Sequence, residues 1–219
     1  MYMTLRAEDG HVFDAYVTGE ETARAGIVLI QEIFGVNSHI RDVAGFFAAQ
    51  GYRVVAPALF DRVQAKVELG YAQQDIQKGL ELRSEISQEQ VMMDIAAAVQ
   101  ALEKQSSVGV VGYCWGGTLA WLAASEIASV NAASCWYGGG LAQVATEQTA
   151  VPVQMHFGEL DKSIPLSDIE IIRQAQPDAE MFVYPGVDHG FGCDQRGSYN
   201  QAATELARQR TLSFFAKHL

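Results

Sequence analysis

Basic residues are scarce in this chain. Fifteen Lys and Arg stand against 26 Asp and Glu, a formal net charge of −11 at pH 7. A surface of that sign repels phosphate backbones and anionic lipid headgroups, whose binding rests on Lys and Arg. Neither nucleic acid nor a membrane is therefore an expected partner. Long apolar runs are missing as well. No stretch approaches the roughly 18 residues of a bilayer-spanning helix, and "MYMTLRAEDG" has neither the basic start nor the apolar middle of a secretory signal. The mature chain is expected to begin at or near Met1. Cysteine occurs only at positions 114, 135 and 193, an odd number at unrelated spacings that builds neither a disulfide framework nor a zinc site. Cytoplasmic residence with no bound metal is the expectation.

What is present reads as a globular α/β protein. Apolar residues make up 49% of the 219 positions and charged ones 19%, enough for one domain over 1–219 to bury about 70% of its unfolded surface. Two short runs flank Asp9-Gly10, a D-G hairpin signal that predicts an antiparallel start. "AGIVLIQE", "YRVVAPALF", "VGVVGY", "NAASCWYG", "VPVQMHFG" and "AEMFVYPG" then read as strands. Several are apolar on both faces and alternate with helical patterns, the signature of a parallel sheet covered on both sides. Helices are expected over about His39–Gln50, after Ser87, after Cys114, from Pro165, and over about Asn200–His218. Ser87 and Gln90 have capping-box spacing, and Val91, Ile95, Val99 and Leu102 mark one apolar face beyond them. Residues 61–86 are polar and weakly periodic and give no firm element. No repeat or low-complexity linker marks a domain boundary.

The chemistry begins at "GVVGYCWGG", a strand, then G-x-C-x-G, then a helix. A nucleophile at such an elbow needs tightly bent backbone, which Gly112 and Gly116 permit, and the helix behind it aims its N–H groups at the Cys114 sulfur. Taken alone, a cysteine in an apolar segment is more often a buried small hydrophobe. Chain order argues otherwise. In folds with this elbow the acid and then the histidine follow the nucleophile, each on a loop after a strand. Asp161 in "GELDKSIP" follows "VQMHF", and His189 in "GVDHGF" follows "MFVYP". Each has a plainer reading as a helix cap or turn residue. Three such residues at three fitting junctions favour a Cys-His-Asp triad.

"QEIFGVN", "GYCWGG", "GELD" and "DHGF" together resemble the dienelactone hydrolases, a cysteine-dependent branch of the α/β-hydrolase fold, from about residue 10 to the C-terminal helix. The resemblance implies that fold, with a mainly parallel central sheet, helices on both faces, an N-terminal antiparallel hairpin and no large cap domain. It implies Cys114, Asp161 and His189 as the triad, and Glu32 as a fourth active-site residue that hydrogen-bonds the resting thiol. It implies hydrolysis of a small-molecule lactone or ester through a thioester, with no cofactor, by a monomer or small homo-oligomer. A carboxylate beside the thiol makes physical sense, since two like charges 4 Å apart repel by roughly 4 kcal/mol at an effective dielectric near 20. The other reading of Glu32 is a surface carboxylate at a strand end. Backbone N–H groups of Ile33 and Trp115 are the expected oxyanion hole. Phe34, Tyr113, Trp115, Tyr137 and Phe191 are candidates to wall an apolar substrate pocket, or else core.

The chain departs from the family at Cys193, where dienelactone enzymes carry a carboxylate-binding arginine four residues after the histidine. Lys78, Lys162 and Arg196 are substitutes that no motif places. A non-catalytic ligand-binding or redox-sensing protein on the same scaffold is the alternative function.

Overall fold

The structure is a computed structural model that describes residues 1–149 and 151–219. Its strands, β1 (Tyr2–Arg6), β2 (Val12–Thr18), β3 (Ala25–Ile30), β4 (Arg53–Pro57), β5 (Ser107–Tyr113), β6 (Ala132–Trp136), β7 (Val153–Gly158) and β8 (Glu180–Tyr184), form one eight-stranded sheet in the order β1-β2-β4-β3-β5-β6-β7-β8. The chain divides into two compact units, Met1–Gly109 and Val110–Leu219.

In the first unit, β1 (Tyr2–Arg6) and β2 (Val12–Thr18) pair antiparallel, with Tyr2 opposite Tyr16 and Arg6 opposite Val12. The Asp9-Gly10 turn forms as its residues predict, with the Asp9 carboxylate accepting the His11 N–H at 3.0 Å. β2 turns Phe13, Ala15 and Val17 inward and their neighbours outward, the period-2 pattern of a strand covered on one face. It pairs antiparallel with β4 (Arg53–Pro57), which pairs parallel with β3 (Ala25–Ile30). β3 is buried at every residue, as an uninterrupted apolar run requires of a strand covered on both faces. α1 (Ser38–Ala49) is capped by Asn37, whose side-chain Oδ1 accepts the Ile40 N–H at 3.2 Å.

The strand expected over "YRVVAPALF" stops at Pro57, and its last two residues instead open a 3-10 turn, Leu59–Arg62, that runs into the unassigned segment, where α2 (Gln73–Ser84) also forms. Only Gly79 and Leu82 of α2 are buried, so the helix carries no apolar stripe for periodicity to detect. It packs closely all the same: a Cβ on Gly79 would run into the Ile33 carbonyl oxygen. α3 (Gln88–Gln100) starts with the expected box, Ser87 Oγ accepting the Gln90 N–H at 3.2 Å and Gln90 Oε1 accepting the Ser87 N–H at 3.0 Å. Leu102 lies just beyond the helix, buried with the rest of the predicted face. Buried Asp94 on α3 accepts two hydrogen bonds from Arg62 at 2.8 Å, the bidentate pairing that makes an enclosed carboxylate tolerable.

β5 (Ser107–Tyr113) leads into the second unit. There α4 (Trp115–Glu126), β6 (Ala132–Trp136), the single-turn α5 (Leu141–Val144), β7 (Val153–Gly158), α6 (Leu166–Ala175), β8 (Glu180–Tyr184) and α7 (Gln201–His218) follow. β6, β7 and β8 pair parallel, with Trp136 opposite His156 and Gly158 opposite Tyr184. Pro165 occupies the N-cap position of α6, one residue before the helix starts, without a side-chain cap hydrogen bond, and Asn200 caps α7 by accepting the Ala203 N–H at 2.9 Å through its side chain. α7 buries Ala203, Thr204, Ala207, Thr211, Phe214 and Phe215, the three-to-four spacing of an amphipathic helix. Among the described residues no helix is long and apolar enough to cross a membrane.

Candidate active site

Cys114 stands alone between β5 and α4 with φ 55 and ψ −118. Left-handed backbone is rare at a residue with a side chain and persists where the surroundings dictate it. They do so here. A Cβ on Gly112 would fall on the Gly116 carbonyl oxygen, so the turn can close only if residue 112 has no side chain. The Cys114 N–H donates to the Trp136 carbonyl at the end of β6 at 3.0 Å, and the Cys114 carbonyl accepts the Gly117 N–H at 2.9 Å. The thiol is thus presented at the N-terminus of a twelve-residue helix, where the peptide dipoles favour negative charge. Trp115 is the first residue of that helix, and its N–H belongs to the turn for which the helix supplies no acceptor.

His189 and Asp161 arrive on two loops of the same unit. His189 Nε2 lies 3.2 Å from Cys114 Sγ, and its Nδ1 lies 2.6 Å from Asp161 Oδ2. The Asp161 side chain is fully enclosed, and its other oxygen accepts the Ser163 N–H at 2.8 Å. Seventy-five residues separate the sulfur from the imidazole and 28 separate the imidazole from the carboxylate, so the constellation exists only in the folded unit. Burial works to lower the His189 imidazole, but the charge of Cys114 and the hydrogen bond to Asp161 outweigh it and hold the group up at about 10. A proton is therefore kept between a sulfur and a buried carboxylate. The other cysteines differ in kind. Cys135 and Cys193 are both fully buried, and burial pushes the Cys135 thiol up, away from ionisation.

In the first unit, Glu32, Ile33 and Phe34 follow β3 after one intervening residue, Gln31, and all three are buried. Tyr71, from the stretch that sequence reasoning could not assign, donates its hydroxyl hydrogen to Glu32 Oε2 at 3.5 Å and accepts one from Asn37 Nδ2 at 3.1 Å. Its ring meets Phe34 at 4.6 Å in a T-shaped contact. Nothing local marks Tyr71: the signal would have been an aromatic in an otherwise polar segment, which many solvent-exposed loops share.

Tyr113, Tyr137 and Phe191 lie together in the second unit, fully buried in one ring cluster with Trp136. Tyr137 also touches the His189 ring, centroid to centroid 5.2 Å. Of the three unplaced cations, Lys162 is exposed and Lys78 pairs with Glu81 at 3.7 Å on the surface. Arg196 is not a free-standing surface charge: its guanidinium packs directly over Gly190, where a Cβ would come within 2.5 Å of Nη1.

Comparisons with known proteins point the same way. The sequence pattern of the dienelactone hydrolase family matches residues 13–219. A carboxymethylenebutenolidase of Pseudomonas putida is 31% identical over 225 residues, covering 98% of this chain and 95% of its own length. A Synechocystis protein that provisionally carries the same name is 37% identical over 212 residues, with 88% and 86% covered. The crystal structure of a provisionally assigned dienelactone hydrolase from Klebsiella pneumoniae matches with a TM-score of 0.86 at 29% identity, over the full length of both chains.

Proposed function

The chain belongs to the dienelactone hydrolase family, hydrolases of ester and lactone bonds, and from that premise we propose that it opens small-molecule lactones or esters through Cys114 and a thioester acyl-enzyme. One observation carries the reading: His189 bridges the Cys114 sulfur and the buried Asp161 carboxylate at 3.2 and 2.6 Å. Nucleophile, base and orienting acid therefore stand in the order that acyl transfer requires.

Glu32 takes the thiol proton, and the sulfur, paired with the His189 imidazolium, attacks the carbonyl carbon. The carbonyl π pair moves to oxygen, which the Trp115 and Ile33 N–H groups stabilise in this reading. Collapse of the tetrahedral adduct breaks the C–O bond, and the departing oxygen takes the proton from His189. A thioester remains on Cys114. His189, neutral again, removes a proton from water, which attacks the thioester carbonyl. The sulfur leaves with its electron pair, the carboxylic acid is released, and Asp161 holds the imidazole in one tautomer throughout. Glu32 takes its part from the family resemblance: it restrains the resting thiol and accepts its proton when substrate arrives. Its burial and its Tyr71 hydrogen bond are consistent with a carboxylate kept in one orientation.

The test is turnover of a panel of aryl esters, thioesters and enol lactones by the native protein and by Cys114→Ala. Hydrolysis in the native protein that the substitution abolishes is the expected result. Cys114 that alkylates or oxidises while no substrate turns over would instead identify a sensor on a hydrolase scaffold.

A further inference from the structure

Tyr137 has a placement that acyl transfer through Cys114, His189 and Asp161 leaves unexplained. It follows β6 directly, its φ of 37 lies in the left-handed region, and its side chain is fully buried. A bulky residue holds such backbone only where its neighbours over-determine it. The Tyr137 N–H donates to the His156 carbonyl on β7 at 2.8 Å, and the carbonyl of the preceding Trp136 accepts the Cys114 N–H at 3.0 Å. The peptide ahead of the ring is therefore tied to a core strand on one side and to the nucleophile on the other.

The ring itself meets the histidine loop at several places. Its centroid lies 5.2 Å from that of His189 at an interplanar angle of 64° and 5.3 Å from that of Phe191 at 67°. A Cβ on Gly192 would come within 3.1 Å of its hydroxyl oxygen, so the loop is small at the point where the ring enters it. Hydrogen bonds at Nδ1 and Nε2 fix the imidazole in its own plane, but they do not stop the side chain from swinging away as one body when the sulfur becomes a thioester and the Nε2 bond is lost. A T-shaped aromatic contact restrains that motion.

We propose that Tyr137 is a positioning residue for His189: its ring, set by left-handed backbone at the end of β6, holds the imidazole where it serves both the sulfur and the incoming water. The proposal rests on the cysteine-hydrolase reading and adds to it the residue that keeps the base in place between the two half-reactions. Among the described residues, Cys114 and Asp161 meet the His189 ring nitrogens, and the Asp188 carboxylate accepts the His189 backbone N–H at 2.6 Å. Tyr137 adds no charge to this set.

The experiment compares Tyr137→Phe, Tyr137→Leu, Tyr137→Met and Tyr137→Gly for kcat and KM on an aryl ester, for the NMR titration of the His189 imidazole, and for thermal unfolding. Loss of the ring in the Leu and Met variants is expected to lower kcat by about 10- to 100-fold, the scale of a misplaced catalytic group. KM should stay nearly constant, and the titration of His189 should move. Tyr137→Phe keeps the ring and is expected to restore both readouts. Tyr137→Gly relieves the backbone and lacks the ring, and is expected to be as slow as Leu. Native kcat and an unmoved His189 titration in a folded Leu or Met variant overturn the proposal, as does a Phe variant as slow as Leu. A Gly variant with native kcat overturns it too, by showing that backbone rather than ring matters. These outcomes separate cleanly from failure of the underlying reading. Turnover that survives Cys114→Ala removes the cysteine mechanism, whereas cysteine-dependent turnover indifferent to Tyr137→Leu removes only the positioning role.

Discussion

An imidazole held between a sulfur and a carboxylate is what the individual side chains of the second unit achieve. None of the three is unusual alone. The imidazole is held up at about 10 because a sulfur and a buried carboxylate face its two nitrogens, and that environment outweighs the burial that would otherwise lower it. Glu32 is the residue whose part rests on family likeness, and its test is direct. Glu32→Gln keeps the shape and removes both charge and basicity. Iodoacetamide labelling of Cys114 near neutral pH is expected to speed up, because the restraining charge is gone. Turnover is expected to fall about 10²-fold, the usual scale for loss of a general base. Unchanged labelling and unchanged turnover would make Glu32 a bystander and leave His189 as the sole activator.

The junction between β5 and α4 decides whether these side chains meet at all. Its geometry is set by an absent side chain, since any Cβ at residue 112 occupies the place of the Gly116 carbonyl oxygen. Gly112→Ala must therefore push the first turn of α4 away from the strand. A cost of about 1–3 kcal/mol, typical of overpacking a closed site, is expected in urea unfolding. Turnover should fall further than stability does, because displacement of the elbow carries the Cys114 sulfur away from His189. A variant with native turnover would show that the elbow has slack that the close approach conceals. The elements most legible in sequence are those whose signal is local. The Asp9-Gly10 hairpin, the Ser87 and Gln90 box and the buried run of β3 each follow from residues within a few positions of one another. α2 was illegible because it buries two residues and shows no stripe.

Across the molecule, two histidines oppose one another in their effect on stability with pH. His156 is fully buried on β7, its ring nitrogens bonded to the Tyr184 hydroxyl at 2.9 Å and to Gln154 and Thr211 at 2.9 and 3.1 Å. Burial, helped by the nearby Arg210, lowers its pKa from 6.5 to about 3. The unfolded chain therefore binds a proton that the folded one refuses, so the His156 contribution is intact above pH 6.5 and is lost as pH falls toward 3, at up to about 1.4 kcal/mol per pH unit. His189 runs the other way: raised in the fold, it contributes fully below pH 6.5 and loses that contribution as pH climbs toward about 10. Urea unfolding is expected to show stability falling from pH 6.5 to pH 4.5, with the slope reduced in His156→Gln even though that variant starts from a lower value. An identical slope in the two proteins would assign acid sensitivity to the carboxylates instead.

The sequence by itself determined the α/β class, the hairpin, the order of strands along the chain, and which three residues are proposed as a triad, because each is written in local pattern or in a fixed order of junctions. Only the tertiary structure decided which distant residues serve them. Tyr71 reaches Glu32 across 39 positions, and the Arg196 guanidinium packs against Gly190. Tyr137, which reads in sequence as either pocket wall or core, is enclosed beside His189. Those pairings depend on which faces of separate loops meet after the strands align. Chain spacing carries no record of that, since long-range contacts are selected by shape and burial over the whole fold rather than by any neighbouring residue.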